Sequence, residues 1–214
     1  MSEDPDARRN DGWIEIVIAI VLSAGGLMTS WASYQAALWD GEQAAHYSRA
    51  NAIRVMATRA RLEADAHRTA EMALFNAWLQ TVAEDRKTLA SFYEARFPRD
   101  MKPAFDAWIE EAPLKNPDAP QTPFAMPAYQ PQGMIQAQKL EAQADATFEV
   151  GQENNRVSDL FTQGAVILAM AMFFGGIGQV FRMRPVRLAL LAISILACAI
   201  GLARILTLPT LSPG

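Results

Sequence analysis

Cysteine and histidine are almost absent from this sequence, which has one cysteine, Cys198, and two histidines, His46 and His67, in 214 residues. A single cysteine excludes an intrachain disulfide framework, and so few thiol and imidazole groups exclude a zinc cluster of the usual spacing. The sequence also lacks a glycine-rich phosphate loop and a nucleophile elbow. We therefore predict no catalytic, cofactor-binding or metal-binding residues, and we expect that the protein is not an enzyme.

The two histidines share a spacing that keeps a metal site open as an alternative. Each follows a glutamate by four residues, in the pairs Glu42–His46 and Glu63–His67. Di-iron helical bundles instead use Glu-x-x-His, with a spacing of three, from two of their helices. We interpret both pairs as ordinary neighbours on a helix surface. The alternative is a weak metal site at a symmetric interface.

Charge is missing from three stretches, residues 16–34, 160–181 and 188–203. The hydrocarbon core of a bilayer is about 30 Å thick and takes about 20 apolar helical residues, so each stretch is typical of a membrane-spanning helix. The sequence predicts an all-α membrane protein with three transmembrane helices, the first of them an uncleaved anchor. The expected segments are a tail at 1–12, spans at 13–38, 160–181 and 188–208, a large domain at 39–159, a loop at 182–187 and a second tail at 209–214.

The orientation of the chain is predicted from its arginines. Arg8 and Arg9 precede the first span, and the sequence FRMRPVR at residues 181–187 joins the second span to the third. Positively charged short loops favour the cytoplasmic side of a membrane. We expect a cytoplasmic N-terminus in a bacterial inner membrane, with membrane lipid as a partner and with the large domain and the C-terminus outside the cytoplasm.

The large domain is predicted to be helical because proline is missing from residues 6–97. The first span is expected to continue as one helix to a break at 83–87, and a helix from residue 133 leads into the second span. With short helices at 87–97 and 101–111, these segments predict a helical extracytoplasmic stalk and a small helical head. Residues 40–159 hold 18 acidic and 13 basic residues, which argues against nucleic acid as a partner.

Large apolar residues at helical spacing are expected to form the core of this head. The alternative is that they form an exposed surface for a partner. These residues are Met72, Phe75, Trp78, Leu79, Val82, Leu89, Phe92, Tyr93, Phe97, Phe105, Trp108 and Ile109.

Two rows of opposite charge predict the register of the stalk helices. Counted from the membrane, the arginines of the first helix and the acids of the returning helix lie at similar heights. The predicted contacts are Arg49–Glu153, Arg54–Asp145 and Arg61–Glu141. Exposed pairs of this kind contribute only about 0.2–1 kcal/mol each, so their expected role is to set register. The alternative is two solvated faces that do not meet.

Six of the twelve prolines fall in residues 113–133, PLKNPDAPQTPFAMPAYQPQG. Polyproline-type chain extends by about 3.1 Å per residue without ladder hydrogen bonds. We predict an extended strap at 112–132 that runs from the head along the stalk. Its apolar residues Leu114, Phe124, Met126 and Tyr129 are the expected interaction residues, pressed against the first helix or a neighbouring subunit.

Polar residues in the spans are candidates for function because they are costly there. Glu15 and Arg204 lie near span ends, where each is expected to reach the interface, and Gln163 and Gln179 lie near opposite ends of span two. If they have partners, depth predicts Arg182 or Arg184 for Glu15, and Asp159 or Asn155 for Arg204. Small-x-x-x-small spacings at 171–175 and 197–201 favour close helix packing, within the chain or in a homo-oligomer.

Three segments carry a resemblance to a known group of proteins. They are WASYQA at 31–36, RFPRDMKPAFDAW at 96–108 and NPDAPQTPFAMPAY at 116–129. With them the chain resembles a family of small bacterial integral-membrane proteins to which no activity is assigned. The resemblance covers almost the whole chain and implies architecture only.

Two functions from different classes follow from these observations. The first is an oligomeric inner-membrane structural or interaction protein, whose outer head binds another envelope component or subunit. The alternative is a subunit of a homo-oligomeric channel or transport assembly, which requires a continuous polar path along the oligomer axis.

Overall fold

A computed structural model describes residues 5–181 and 183–212, with side chains from residue 13 onward. Within these ranges the chain is helical and contains no strand. The helices are α1 (Pro5–Ala83), α2 (Lys87–Glu94), α3 (Lys102–Glu110), α4 (Gln132–Gly178) and α5 (Arg184–Leu206), with a short 3₁₀ turn at Pro123–Ala125.

Helix α1 ends where the sequence predicts a break. Asp85 adopts a left-handed conformation with φ of 56°. The amide of Arg86 donates to the carbonyl of Thr81 at 2.8 Å, and the amide of Asp85 donates to the carbonyl of Val82 at 3.1 Å. This pair of bonds is a Schellman motif, which satisfies carbonyls left open at a helix C-terminus. The predicted break at 83–87 and the short helix after it are confirmed.

Three helices are long and apolar enough to cross a membrane, which marks the chain as a membrane protein by length and composition. They are α1, α4 and α5, and the predicted spans fall on them. The predicted loop at 182–187 differs from the structure, because α5 already begins at Arg184. Pro185 lies in the first turn of α5, where its missing amide proton is not needed.

The chain divides into two compact units, the first formed by Met1–Tyr47 with Phe148–Gly214 and the second by Ser48–Thr147. In the first unit, small residues let α4 and α5 pack closely. The Ser194 hydroxyl donates to the carbonyl of Ala171 at 2.6 Å. A side chain added at Gly201 would meet Leu168 at 2.9 Å. The two predicted small-residue spacings therefore serve packing within the chain.

Residues 31–36 form packing contacts and hydrogen bonds within the first unit. The Trp31 ring meets Phe161 edge to face, with centroids 5.7 Å apart. The buried Gln35 amide donates to the carbonyl of Leu211 at 3.0 Å, and its oxygen accepts from the amide of Leu211 at 2.9 Å. Ser158 donates to the carbonyl of Ala36 at 3.1 Å. These residues fix α1 against α4 and the C-terminal tail.

An aromatic core holds the second unit together, as the sequence predicts. Phe75, Trp78, Phe97, Phe105 and Trp108 are buried in one cluster. The prediction is wrong for four other residues, which are exposed: Met72, Leu79, Phe92 and Ile109. The buried face of α1 follows Glu71, Phe75 and Trp78, so Met72 and Leu79, each one position further on, are rotated about 100° away from it.

The proline-rich segment is not the extended strap that the sequence predicts. The segment contains turns in which a backbone amide donates to the carbonyl three residues earlier. The donor–acceptor pairs are Lys115–Ala112, Ala119–Asn116, Met126–Pro123 and Tyr129–Met126. Ala112 has φ of 50°, which turns the chain at the end of α3. Proline favours turns as well as polyproline helices, because its fixed φ suits both. Here the turns prevail, since they carry Phe124 and Met126 onto the aromatic core.

Candidate functional site

A polar cleft of about 370 Å³ lies within the second unit, between α1, the chain that precedes α3, and the start of α4. Its polar lining carries both signs of charge and consists of Glu63, His67, Arg68, Glu71, Arg99, Asp100, Tyr129 and Gln136. Its apolar lining consists of Ala60, Ala64, Pro98, Pro131 and Gly133.

The buried end of the cleft is formed by Glu71 and Tyr129. The Tyr129 hydroxyl donates to Glu71 Oε2 at 2.6 Å, and Glu71 is only 5 % exposed. Burial raises the pKa of Tyr129 well above its usual range, and the hydrogen bond to the Glu71 carboxylate and its charge raise it further. Tyr129 therefore stays protonated at neutral pH and remains a donor.

The position of the cleft depends on how α4 begins. Asp100 Oδ2 accepts a hydrogen bond from the amide of Gln132 at 3.1 Å, which satisfies one open donor at the N-terminus of α4. At Gly133, an added Cβ would lie 3.0 Å from the Cβ of Ala64. The glycine thus permits a close approach of α4 to α1. These contacts hold the start of α4 against α1 and against the chain that precedes α3, and these three segments line the cleft around Glu71.

Several charged groups in the cleft have capacity left for a ligand. Within the described part of the chain, Arg68 and Arg99 form no ion pair, and Glu71 Oε1 accepts no hydrogen bond. In the same ranges, no group of three His, Cys, Asp or Glu side chains is placed to hold a metal ion. The cleft thus offers donors and acceptors rather than a metal-ligand set.

Two of the three predicted ion pairs are present in the second unit. Arg54 Nη2 lies 3.0 Å from Asp145 Oδ1, and Arg61 Nη1 lies 3.3 Å from Glu141 Oε1. Further along α1, Ala64 lies beside Gly133 of α4. The contacting residues of α4 thus fall in number as those of α1 rise, so the two helices run antiparallel in this unit.

The third predicted pair, Arg49–Glu153, joins residues of different units and stays a prediction. Both carboxylate oxygens of Glu153 accept hydrogen bonds from Arg156, at 2.6 and 2.8 Å, and these bonds lower the pKa of Glu153. Residues three apart on a helix are neighbours, so a local bidentate partner is available without any change of register.

A double-mutant cycle of Arg54→Ala and Asp145→Ala is expected to give a coupling energy of about 0.2–1 kcal/mol, because both side chains are partly exposed. The measurement is urea unfolding of the full-length protein in detergent, and the coupling should fall as salt rises. The matched cycle of Arg59→Ala with Asp145→Ala should give no coupling. Equal coupling in both cycles would contradict a specific contact.

The polar residues of the spans find partners other than those predicted. Glu15 lies 3.4 Å from Arg187, not beside Arg184, and Arg182 lies outside the described residues. The Arg204 guanidinium donates to Gln163 at 3.3 Å. Its predicted partners are wrong, since Asn155 donates to Asp159 at 3.2 Å. Gln179 is exposed in the turn that follows α4.

The four predicted interaction residues of the proline-rich segment have different surroundings. Phe124 packs edge to face on Phe75, with centroids 5.9 Å apart, and Met126 packs on the same core. Tyr129 reaches α1 through Glu71. Leu114 is 64 % exposed, so a contact with a partner stays a prediction for this residue alone.

The sequence did not predict Glu71, the cleft or the buried alanines at which α1 and α4 pack. Ala50, Ala57 and Ala64 on α1 are buried seven residues apart, as are Ala137 and Ala144 on α4. Small residues with a heptad repeat are a recognisable signal of closely paired helices. Glu63, His67 and Glu71 follow one another at four-residue spacing, and extension of the predicted Glu63–His67 pair by one turn would have reached the site.

Comparisons of the chain with protein-family models, with curated proteins and with solved structures find no significant match. The resemblance to small bacterial membrane proteins therefore stays a prediction. The class that fold and composition define is an all-α membrane protein with three apolar helices.

Proposed function

We propose that this protein is a membrane-anchored binding protein, whose helical unit of residues 48–147 recognises another component of the bacterial envelope at the polar cleft. The observation that carries the proposal is Glu71, a carboxylate that is 5 % exposed, lines the cleft and uses one oxygen for Tyr129. Its other oxygen, Oε1, is open to solvent at the cleft and accepts no hydrogen bond from a described residue, so it can accept one from a partner. The cleft therefore suits a binding role.

The arrangement of the unit at the membrane is part of this proposal. The apolar helices would anchor the chain in the inner membrane, and residues 39–159 would form an extracytoplasmic stalk with a small head. The positive charge of Arg184 and Arg187 at the start of α5 favours a cytoplasmic position for that end. The cleft would then face the outside of the cytoplasm, where envelope components are accessible.

A homo-oligomer is also proposed, supported by a groove in the first unit. Small side chains of α1 and α4 line this groove of about 450 Å³, among them Thr29, Ser33, Ala37, Ala165 and Ala169. Small residues let the backbone of another helix approach closely in a bilayer. A span of a second copy would pack across this groove, whereas the predicted small-residue spacings are already used within the chain.

Binding is favoured over catalysis and over transport. The described residues that line the cleft include no serine, threonine, cysteine or lysine, and Tyr129, Glu71 and Asp100 are each engaged in a hydrogen bond that supports the fold. In the first unit, Glu15 is bound to Arg187 and Arg204 to Gln163. These groups pair with one another, so they lend no support to the alternative of a polar channel path.

A site-specific photo-crosslinker tests the proposal in native membranes. We expect a crosslinker at Gln136, which lines the cleft, to give a discrete adduct that mass spectrometry identifies. The matched control is Gln138, two residues further along α4 and outside the cleft lining. An adduct between two copies of the chain would identify a subunit as the partner, and any other adduct an envelope component. Identical adducts at both positions, or none at Gln136, would refute the recognition of an envelope component at the cleft.

A further inference from the structure

We propose that the cleft of the second unit binds a zwitterionic group of the α-amino acid type, with its ammonium at Glu71 and its carboxylate at Arg68 and Arg99. This inference rests on the proposed binding function and names the chemistry that the cleft recognises. The group is either a free amino acid or the same group carried on a larger envelope component.

The ammonium group is assigned to Glu71 because one of its two carboxylate oxygens has no hydrogen-bond donor in the described part of the chain. Tyr129 occupies Oε2, and no described residue donates to Oε1. Oε1 is accessible from the cleft, and a charged donor forms a stronger hydrogen bond with a carboxylate than a neutral donor does. A compact ammonium group supplies up to three donors at one point. A metal ion fits less well, since Ca²⁺ takes 6–8 oxygen ligands and Mg²⁺ an octahedral set, and no such group occurs among the described residues.

The carboxylate end is assigned to the two arginines. Arg68 on α1 and Arg99, in the chain that precedes α3, line the same cleft, and neither forms an ion pair with a described residue. A guanidinium presents a planar fork of donors that matches both oxygens of a carboxylate. The cleft thus contains one carboxylate oxygen and two guanidinium groups that can still bind charged groups of a ligand.

Both signs in one cleft favour a ligand that also carries both. A simple amine would satisfy Glu71, but it would leave Arg68 and Arg99 without a counter-charge. A simple carboxylate would satisfy the arginines, but it would face Glu63, Glu71 and Asp100. Like charges at short range are repulsive. A zwitterion satisfies both groups and adds no net charge.

The size and apolar lining of the cleft indicate the rest of the ligand. Small-molecule pockets usually measure about 300–1,000 Å³, and this cleft of about 370 Å³ lies at the lower end. Ala60, Ala64, Pro98 and Pro131 provide apolar surface beside the charged groups. An amino acid with a short apolar side chain, such as leucine, therefore suits the cleft as a probe.

Isothermal titration of the full-length protein in detergent tests the inference with three probes. Leucine carries both charges, 3-methylbutylamine lacks the carboxylate, and 4-methylpentanoate lacks the amine. Because a hydrogen bond to a charged group contributes about 1.5–3 kcal/mol, we expect each analogue to bind at least about tenfold more weakly than leucine. Binding of the amine as tightly as leucine, or of the carboxylate as tightly, would overturn a zwitterion site.

Variants connect the binding to the assigned residues. Glu71→Gln retains an acceptor for Tyr129 but loses the charge, and it should weaken leucine binding at least about tenfold. Arg68→Gln with Arg99→Gln changes exposed residues only, so the double variant should fold normally and also bind more weakly. The control Glu110→Gln removes an exposed carboxylate outside the cleft and should leave binding unchanged. Unchanged binding in the double arginine variant would contradict the assigned carboxylate end.

Competition distinguishes the two sources of the group. If leucine abolishes the adduct formed from Gln136, the group is carried on the crosslinked component. If leucine binds but no adduct forms, the ligand is the free amino acid, and the proposed recognition of an envelope component is wrong while the zwitterion site stands. If no probe binds up to the solubility limit of leucine while the Gln136 adduct persists, the zwitterion inference is wrong and the proposed binding function stands.

Discussion

Replacement of Trp78 by alanine is expected to lower the free energy of unfolding of the second unit by about 3–5 kcal/mol, the usual cost of truncating a buried large aromatic residue. Trp78 is 3 % exposed. Its ring meets Phe105 edge to face with centroids 4.9 Å apart and stacks on Phe75 at 5.8 Å. Truncation would leave a cavity at the centre of the core and would leave the Glu94 carboxylate without the indole donor that lies 2.8 Å away.

Hydrogen–deuterium exchange of the full-length protein measures this effect locally. Small domains are stable by about 5–15 kcal/mol, so the variant should lose much of its protection throughout residues 48–147. The control is Phe92→Ala, because Phe92 is a large aromatic of the same unit that is 48 % exposed. It should change protection little. Similar loss in both variants would contradict a core centred on Trp78.

The helices and the aromatic core could be predicted because their signals are local. A proline-free stretch, an apolar face at helical spacing and a polar break at 83–87 each depend on neighbouring residues. The errors at Met72 and Leu79 arose because each lies one position beyond the buried face, where apolar composition alone does not separate exposed from buried residues. The predicted conformation of the proline-rich segment was wrong for a related reason, because the fixed φ of proline suits both turns and extended chain.

The candidate site could be predicted only in part because its residues are distant in sequence. Tyr129 was predicted to press on the first helix, and it does so through a carboxylate 58 residues away. Glu71 resembles any exposed helical glutamate in the sequence, whereas in the structure it is buried and accepts a hydrogen bond from Tyr129. The ion pairs at Arg54 and Arg61 could be predicted from register, whereas the local Glu153–Arg156 pair was not predicted.

Gly164→Ala is expected to destabilise the packing of α4 on α5, whereas Gly176→Ala, in the same helix, is not. An added Cβ at Gly164 would collide with Cγ2 of Ile205, which is fully buried. Ile205 is β-branched, so its χ1 rotamer is restricted in a helix and the methyl group cannot swing aside at low cost. Overpacking of this kind costs about 1–3 kcal/mol. At Gly176 nothing lies within 4 Å of the added atom.

The two variants form a matched pair because both exchange the same atoms in one apolar helix. Alanine raises helix propensity by up to about 1 kcal/mol relative to glycine. The gain at Gly176, in the last turn of α4, is no larger than at Gly164, so helix propensity does not explain a lower midpoint for Gly164→Ala. Thermal unfolding in detergent should then place the Gly164→Ala midpoint below that of Gly176→Ala by about 2–4 °C for each kcal/mol of overpacking. Equal midpoints would mean that α5 does not pack against Gly164. In that case the Arg204–Gln163 contact, which lies on the same two helices, would also lose its support.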